Sequence, residues 1–207
     1  DRVVRVEDGV VAIVRDISSR KHAEVRRAEQ NRVLEMIATS TPLEEVLSYM
    51  TRLLESQIAG SVCVALLCDE DGQHLKLGAA PSLPEQYHKQ INGSVIGPDA
   101  EPSGRAIHWR QPVYVSDVTQ DVCLLQQMEG YGMHDYGACW ALPILSHDGS
   151  ALGALTLFVR DPHEPTAVEA QAIAMATRIC GISIERSQAE ERIRHMANHD
   201  ALTGLPN

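Results

Sequence analysis

Aromatic side chains are scarce in this chain. Phe, Trp and Tyr together make up 4% of its residues, which is poor material for a surface that stacks nucleic-acid bases. Positive charge is also in deficit: 18 Lys and Arg stand against 28 Asp and Glu, a formal net charge of −10. That balance repels nucleic acid and anionic lipid alike, so neither is an expected partner. No uninterrupted apolar run approaches the roughly 20 residues of a membrane span. The cysteines Cys63, Cys68, Cys123, Cys139 and Cys180 are scattered, odd in number and without a CxxC pair. They indicate neither a zinc site nor a disulfide framework, and a reducing cytoplasm suits them. No signal peptide is visible, although the chain opens inside an element. No nucleophile, base and orienting group fall into a catalytic pattern, and no phosphate loop or internal repeat is present.

What remains is 207 residues, 44% of them hydrophobic, enough for one ordinary domain with flanking helices. The chain is organised around Tyr136 to Arg160. Two apolar runs, Ala138 to Leu145 and Ala151 to Val159, flank Ser146-His147-Asp148-Gly149-Ser150, a β-hairpin signature. Leu155, Leu157 and Val159 share one side of the pleat, and Ala154, Thr156 and Phe158 the other. Neither side is polar, so both are expected to be covered, as in a central strand. Arg2 to Asp16 reads as another hairpin. Strands are predicted at Ser61 to Cys68, His74 to Ala80 and Pro112 to Val115. Short helices are predicted near Glu85 to Ile91, at Pro102 to Trp109 and at Asp121 to Gly130. The fold class is α+β, an α/β sandwich with an antiparallel sheet flanked by helices.

Two capping boxes announce longer helices. Thr41-Pro42-Leu43-Glu44 opens one with an apolar stripe at Leu43, Val46, Leu47, Met50, Leu53, Leu54 and Ile58. Thr166-Ala167-Val168-Glu169 opens another that is expected to run to about His199, too long for one small sheet. Ile173, Thr177, Cys180 and Ile184 form a stripe toward the domain core. Met175, Ile182, Ala189 and Met196 recur every seven residues, interleaved with Ile179 and Ile193, as in a seam against a second helix. Arg186 interrupts that seam. A homodimer is the expected assembly.

Three stretches resemble known signalling domains. Val11-Ala12-Ile13-Val14-Arg15-Asp16-Ile17-Ser18-Ser19-Arg20-Lys21 resembles the closing strand and exit helix of a PAS domain, with Ser18 where threonine is usual. Ile96-Gly97-Pro98, Ser103-Gly104-Arg105-Ala106, Gln111 to Val118, and the hairpin from Ala138 through Leu155 resemble a GAF domain. Many relatives carry Gly-Ser-Cys-Gly where this chain has Glu101-Pro102-Ser103-Gly104, which removes the thiol of that motif. Asp200-Ala201-Leu202-Thr203-Gly204-Leu205-Pro206-Asn207 looks like the opening of a GGDEF domain, the diguanylate cyclase fold. The resemblances imply the end of a PAS domain over 1–19, a linker helix over 20–40, a GAF domain over 41–185, a signalling helix over 186–199 and the start of GGDEF over 200–207. They further imply a regulatory region of a bacterial cyclic-di-GMP enzyme, cyclase or phosphodiesterase, with a GGDEF and sometimes an EAL domain downstream. A ligand-free GAF dimerisation spacer is the alternative.

In GAF domains the ligand lies between the sheet and the loops on one face. This resemblance points to Tyr87, His88, Ser103, Arg105, His108, Tyr131, His134 and Trp140 as contacts for a small molecule of unspecified identity. No cofactor is expected. Single histidines in separate loops form no haem pattern, Cys139 is followed by tryptophan and not the histidine a bilin site favours, and the Asn-Lys-Phe-Asp-Glu motif of cyclic-nucleotide sites is missing. His195 and His199 are four apart on a helix without a third ligand, so no metal is expected.

Overall fold

The computed structural model describes residues 2–5, 11–14, 32, 35, 36, 39 and 41–198. The first unit contains the expected N-terminal hairpin: β1 (Arg2–Arg5) pairs antiparallel with β2 (Val11–Val14). Most of the expected linker helix over 20–40, and the text at 200–207, lie outside the described residues.

The larger unit begins at Pro42. Its elements run in the order α1 (Leu43–Gln57), β3 (Ser61–Cys68), β4 (His74–Ala79), α2 (Glu85–Ile91), β5 (Ser94–Val95), α3 (Pro102–Trp109), β6 (Val113–Val115), a 3-10 turn (Val118–Gln120), α4 (Val122–Tyr131), β7 (Ala138–Leu145), β8 (Ala151–Val159) and α5 (Ala167–Asn198). All pairings are antiparallel, in the order β5-β4-β3-β8-β7-β6. β8 is therefore central, as its two apolar sides predicted. Val62, Val64 and Leu66 of β3, Cys139 of β7, and Ala154 and Phe158 of β8 join one core with α2, α3 and α4. This is the inner face. The outer face is covered by α1 and α5, which pack on one another.

Local chemistry explains both long helices. α1 buries Val46, Leu47, Met50 and Leu54, the predicted stripe. It begins differently from the expected capping box, however. Pro42 occupies the cap position, its side chain has no acceptor, and its carbonyl takes the first N–H groups, from Glu45 at 3.0 Å and Val46 at 3.2 Å. The capping box of α5 does form: Thr166 N–H donates to Glu169 Oε2 (2.8 Å) and Glu169 N–H to Thr166 Oγ1 (3.4 Å). α5 is 32 residues long, about 48 Å. Ile173, Ala176, Cys180 and Ile184 are buried against the domain. Gly181 permits the close crossing, because a Cβ there would lie 2.7 Å from the Leu145 carbonyl oxygen. The other stripe faces out: Met175 is 59%, Ile182 44%, Ile193 62% and Met196 67% exposed, with Ile179 and Ala189 half-buried. By length and composition Ala167–Arg194 is apolar enough to cross a membrane, although charged residues such as Glu169, Arg178 and Glu185 interrupt it. Its buried stripe, however, belongs to the domain core.

The turn between β7 and β8 is tied to α5. Glu185 Oε1 accepts from the His147 backbone N–H (3.1 Å) and from the ring Nδ1 (2.5 Å). That hydrogen bond holds the His147 pKa above the ordinary 6.5 and the Glu185 carboxyl below its usual value. His147 is exposed, so the link orients the hairpin more than it stabilises the fold. A raised histidine pKa contributes fully below the unfolded value, and the contribution is lost as pH rises through the folded value. Titration of the His147 ring by NMR should give a pKa above 6.5 that Glu185→Gln returns to about 6.5; an unshifted ring in the wild type would contradict the link.

Candidate functional site

The inner layer is built around the start of α3. Pro102 takes the first helical position and Glu101 the cap, with φ −60° and ψ 165°. The Glu101 side chain makes no capping bond. It lies inside the core and is 5% exposed. Gly104 allows this placement: a Cβ there would come within 2.5 Å of the Val95 carbonyl oxygen and 2.7 Å of Ala100 Cβ. Ser103, one position earlier, shares a hydrogen bond with Thr156 Oγ1 of β8 (2.9 Å), which fixes α3 on the sheet.

Glu101 carries the unusual chemistry. Its Oε1 and the Tyr87 phenol oxygen are both buried without a hydrogen-bond partner. Burial pushes the Glu101 pKa from 4.5 up to about 7, and hydrogen bonding from Ser94 and Tyr131 draws it back only in part. The Tyr87 phenol is pushed far above its ordinary value by burial, then by the Glu101 charge. Tyr131 moves the same way for the same two reasons. Both phenols are therefore neutral O–H groups at physiological pH. Arg105 pairs with Asp121, its Nη2 meeting Asp121 Oδ2 at 2.5 Å, while its Nε is buried without a hydrogen-bond partner. Asp121 also caps α4 by accepting from Leu124 N–H (3.0 Å), so this pair joins α3 to α4.

An aromatic chain leads from this cluster outward. The rings of Tyr131 and Tyr87 are 4.8 Å apart, Tyr87 and Phe158 6.0 Å, and Phe158 and Tyr136 6.4 Å, all edge to face. Tyr136 borders an open cleft of about 300 Å³, lined also by Met128, Met133, His134, Asp135 and Arg160. That volume is at the small end of the range for ligand pockets.

The residues expected to contact a ligand divide into three groups. Tyr87, Ser103, Arg105 and Tyr131 come together on the inner face. His134 is exposed at the cleft, and His108 is exposed near the end of α3, its ring 6.3 Å from Trp109. Trp140 lies apart from them. It alternates with Cys139 along β7 and so points to the outer face. There its indole N–H donates to the His163 carbonyl (3.1 Å) and anchors the segment before α5. His88 is also a structural group, bonded to the Ala80 carbonyl (2.9 Å). Sequence reasoning overlooked Glu101. The available signal was an acidic residue directly before a helix-opening proline, with apolar residues on both sides of the segment.

Thiol chemistry is disfavoured. Burial raises Cys63 and Cys139 well above the ordinary thiol value. It pushes Cys68 to about 11 and Cys180 to about 12. The reactive form, the thiolate, is suppressed at all four. Among the described residues, no group of His, Cys, Asp and Glu has the makings of a metal site.

These features define an α+β sandwich with a helix pair on one face and a polar, aromatic site beneath short helices on the other. The family model for the GAF domain matches residues 40–185, and the chain belongs to that family. It is 35% identical over 186 residues to the methyl sulfide methyltransferase-associated sensor of Methanosarcina acetivorans. That alignment covers 90% of this chain but only 19% of the relative, so the chain spans about a fifth of that protein's length. The fold is shared with the GAF domain of a phosphoenolpyruvate-protein phosphotransferase from Coxiella burnetii (TM-score 0.64, 18% identity, 80% of this chain and 95% of that one). The corresponding Acinetobacter domain is similar (TM-score 0.59, 14% identity, 80% and 95%).

The raised Glu101 pKa has a stability consequence. Between pH 4.5 and about 7 the folded protein keeps a proton that the unfolded chain has released, so stability falls as pH rises across that window. A shift from 4.5 to about 7 corresponds to roughly 3 kcal/mol. Denaturant unfolding at several pH values should show this loss in the wild type and not in Glu101→Gln. Parallel pH profiles for the two proteins would contradict the assignment.

Proposed function

We propose that this chain is the regulatory sensor and transmitter region of a bacterial cyclic-di-GMP turnover protein. In this reading residues 1–19 close a PAS domain, 20–40 form a linker helix, 41–185 are the GAF sensor, 186–199 are a signalling helix, and 200–207 open a GGDEF domain. The region works in the cytoplasm as a homodimer. The GAF domain takes a small molecule on its inner face, and α5 carries the result to the output domain. The turnover chemistry belongs to the output domain, and the 207 residues make no bond themselves.

The observation that carries this reading is the double use of α5. One stripe, from Ile173 to Ile184, completes the domain core. The second, at Met175, Ile179, Ile182, Ala189, Ile193 and Met196, keeps a seven-residue period and leaves large apolar groups exposed, as a coiled-coil seam requires. The Asp-Ala-Leu-Thr-Gly-Leu-Pro-Asn text directly after the helix supports a GGDEF output, and the sensor name of the 35% identical relative supports a sensory role. The spacer reading draws on a different observation, the dense filling of the inner face by Tyr87, Phe158, Met128 and Met133. The orphaned oxygens of Glu101 and Tyr87 favour the sensor.

Two measurements test this reading. Light scattering should give a dimer at micromolar concentrations, and replacing both Ile182 and Met196 by Glu should shift it toward monomer, since buried unpaired charge is costly. A monomeric wild type would contradict the seam. In the full-length protein, helical phase at the end of α5 should control output. An α-helix turns about 100° per residue, so a four-residue insertion near Gln188 rotates the downstream segment by about 40°, while seven residues nearly restore phase. The first should change or uncouple regulation and the second largely preserve it; identical behaviour of the two would indicate a flexible tether.

A further inference from the structure

Arg160 follows the last residue of β8 and lines the cleft of about 300 Å³ beside α4. Its backbone is held on both sides: its N–H donates to the Gly60 carbonyl (3.1 Å), and its carbonyl accepts from Gly137 N–H (3.0 Å). The stem of its side chain runs beside Gly60, where a Cβ would stand 3.7 Å from Arg160 Cβ and 3.8 Å from Cγ and Cδ. Among the described residues, no carboxylate comes within ion-pair distance of its guanidinium. Yet Asp135 lines the same cleft, and both charges act on the phenol of Tyr136. Burial raises that phenol above its ordinary value, the Arg160 guanidinium draws it down, and the carboxylates of Asp135 and Glu55 push it up. The apolar part of the lining is Val118, Met128 and Met133, all buried, with the half-buried Leu125. Backbone bonds tie these walls together: Val118 N–H donates to the Gly137 carbonyl (2.8 Å) and Met133 N–H to the Met128 carbonyl (2.9 Å).

We propose that this cleft binds a free α-amino acid with an apolar side chain, its carboxylate on Arg160, its ammonium on Asp135 and its side chain against Leu125, Met128 and Met133. The inference deepens the sensor reading and rests on it for the role of the ligand. The two charges of an α-amino acid are one carbon apart. One such molecule can therefore meet a guanidinium and a carboxylate that share a cleft without pairing with each other. Both contacts are charge-assisted hydrogen bonds, the stronger kind. Methionine side chains adapt to straight and branched apolar groups alike. The volume, at the small end of the range for ligand pockets, suits a molecule the size of one residue.

Other ligand classes fit less well. A simple anion meets one guanidinium against three carboxylates, because Asp117 and Glu129 also line the cleft. A simple cation brings its charge beside Arg160 and leaves that guanidinium without a partner. A neutral apolar ligand covers both charged groups and returns no hydrogen bond for the water it displaces. Asp135 is the carboxylate with room for an ammonium group. Asp117 is occupied within its own turn, where Oδ1 accepts from Thr119 N–H (2.9 Å) and from Thr119 Oγ1 (2.6 Å). Glu129 stands on the last turn of α4 and adds to the negative side of the rim.

The test uses the whole chain labelled with ¹³C at the methionine methyls. Met128 and Met133 report on the cleft, Met175 and Met196 on the exposed stripe of α5, and the buried Met50 of α1 serves as reference. The probes are L-leucine, isoamylamine (leucine without its carboxylate), 4-methylpentanoate (leucine without its amine) and glycine, at matched ionic strength. L-Leucine should move the Met128 and Met133 signals saturably, and each of the other three should bind at least about tenfold more weakly. Arg160→Gln should abolish the preference for leucine over the amine, and Asp135→Asn the preference for leucine over the acid. An amine or an acid that binds as well as leucine would overturn the zwitterion class, and glycine that binds as well would overturn the apolar class; each leaves the sensor reading in place. No saturable shift from any probe, or unchanged preferences in both variants, would also overturn the proposal. Leucine shifts at Met128 and Met133 with Met175 and Met196 unmoved would uphold the proposal and count against transmission through α5. The wild-type probe series decides the matter even if a variant does not fold.

Discussion

A carboxyl group buried with no counter-charge among the described residues is the constraint around which the inner half of this domain is built. Glu101 enters the core because Pro102 starts a helix at that point and Gly104 lets the helix lie against β5. Once inside, an ionised carboxylate costs several kcal/mol unless a cation or strong donors meet it. The chain supplies weak compensation, the hydroxyls of Ser94 and Tyr131, and directs the neighbouring guanidinium of Arg105 to Asp121. The domain thus holds an acid close to its titration point at neutral pH. Perturbed groups of this kind gather where proteins bind or react.

The two faces of the sheet divide the work. The inner face holds polar atoms without partners and an aromatic path to a cleft. The outer face holds bonded polar groups: Trp140 gives its N–H to the His163 carbonyl, Cys63 N–H donates to Glu55 Oε1 (2.9 Å), and α1 and α5 close the core. β7 and β8 belong to both faces, and the turn between them is bonded to Glu185 of α5. A shift of α3 against Thr156 would thus reach α5 through one strand and one turn. A path of packed elements becomes a switch only if they have two arrangements with different ligand affinity. The exposed apolar stripe of α5, at Met175, Ile182, Ile193 and Met196, is where the proposed second arrangement would form.

Much of this was legible in the sequence, and the gaps have physical causes. The central hairpin, the short helices and the long α5 were visible because their signals are local: turn residues, capping boxes and periodic apolar positions. The start of α1 was misread because Thr41 and Glu44 fit a capping box, yet proline at the cap position imposes its own geometry. The two-residue strand β5 and the 3-10 turn are too short to carry a period. Trp140 was placed with the ligand residues through the GAF resemblance, whereas the pleat assigns it to the opposite face from Cys139. Glu101 was noted only as a departure from Gly-Ser-Cys-Gly, as the loss of a thiol motif. What the substitution adds, a carboxyl aimed inward, depends on helix placement and burial, which no local pattern reports.

The account depends most directly on the protonation of one side chain. Infrared difference spectroscopy of the chain across pH 5 to 9, with Glu101→Gln as reference, reads that state without reference to stability or binding. The account predicts a protonated-carboxyl carbonyl band that is absent from the variant and disappears with a midpoint near 7. A Glu101 that is already ionised at pH 5 would contradict it, because such an acid would have a compensating partner.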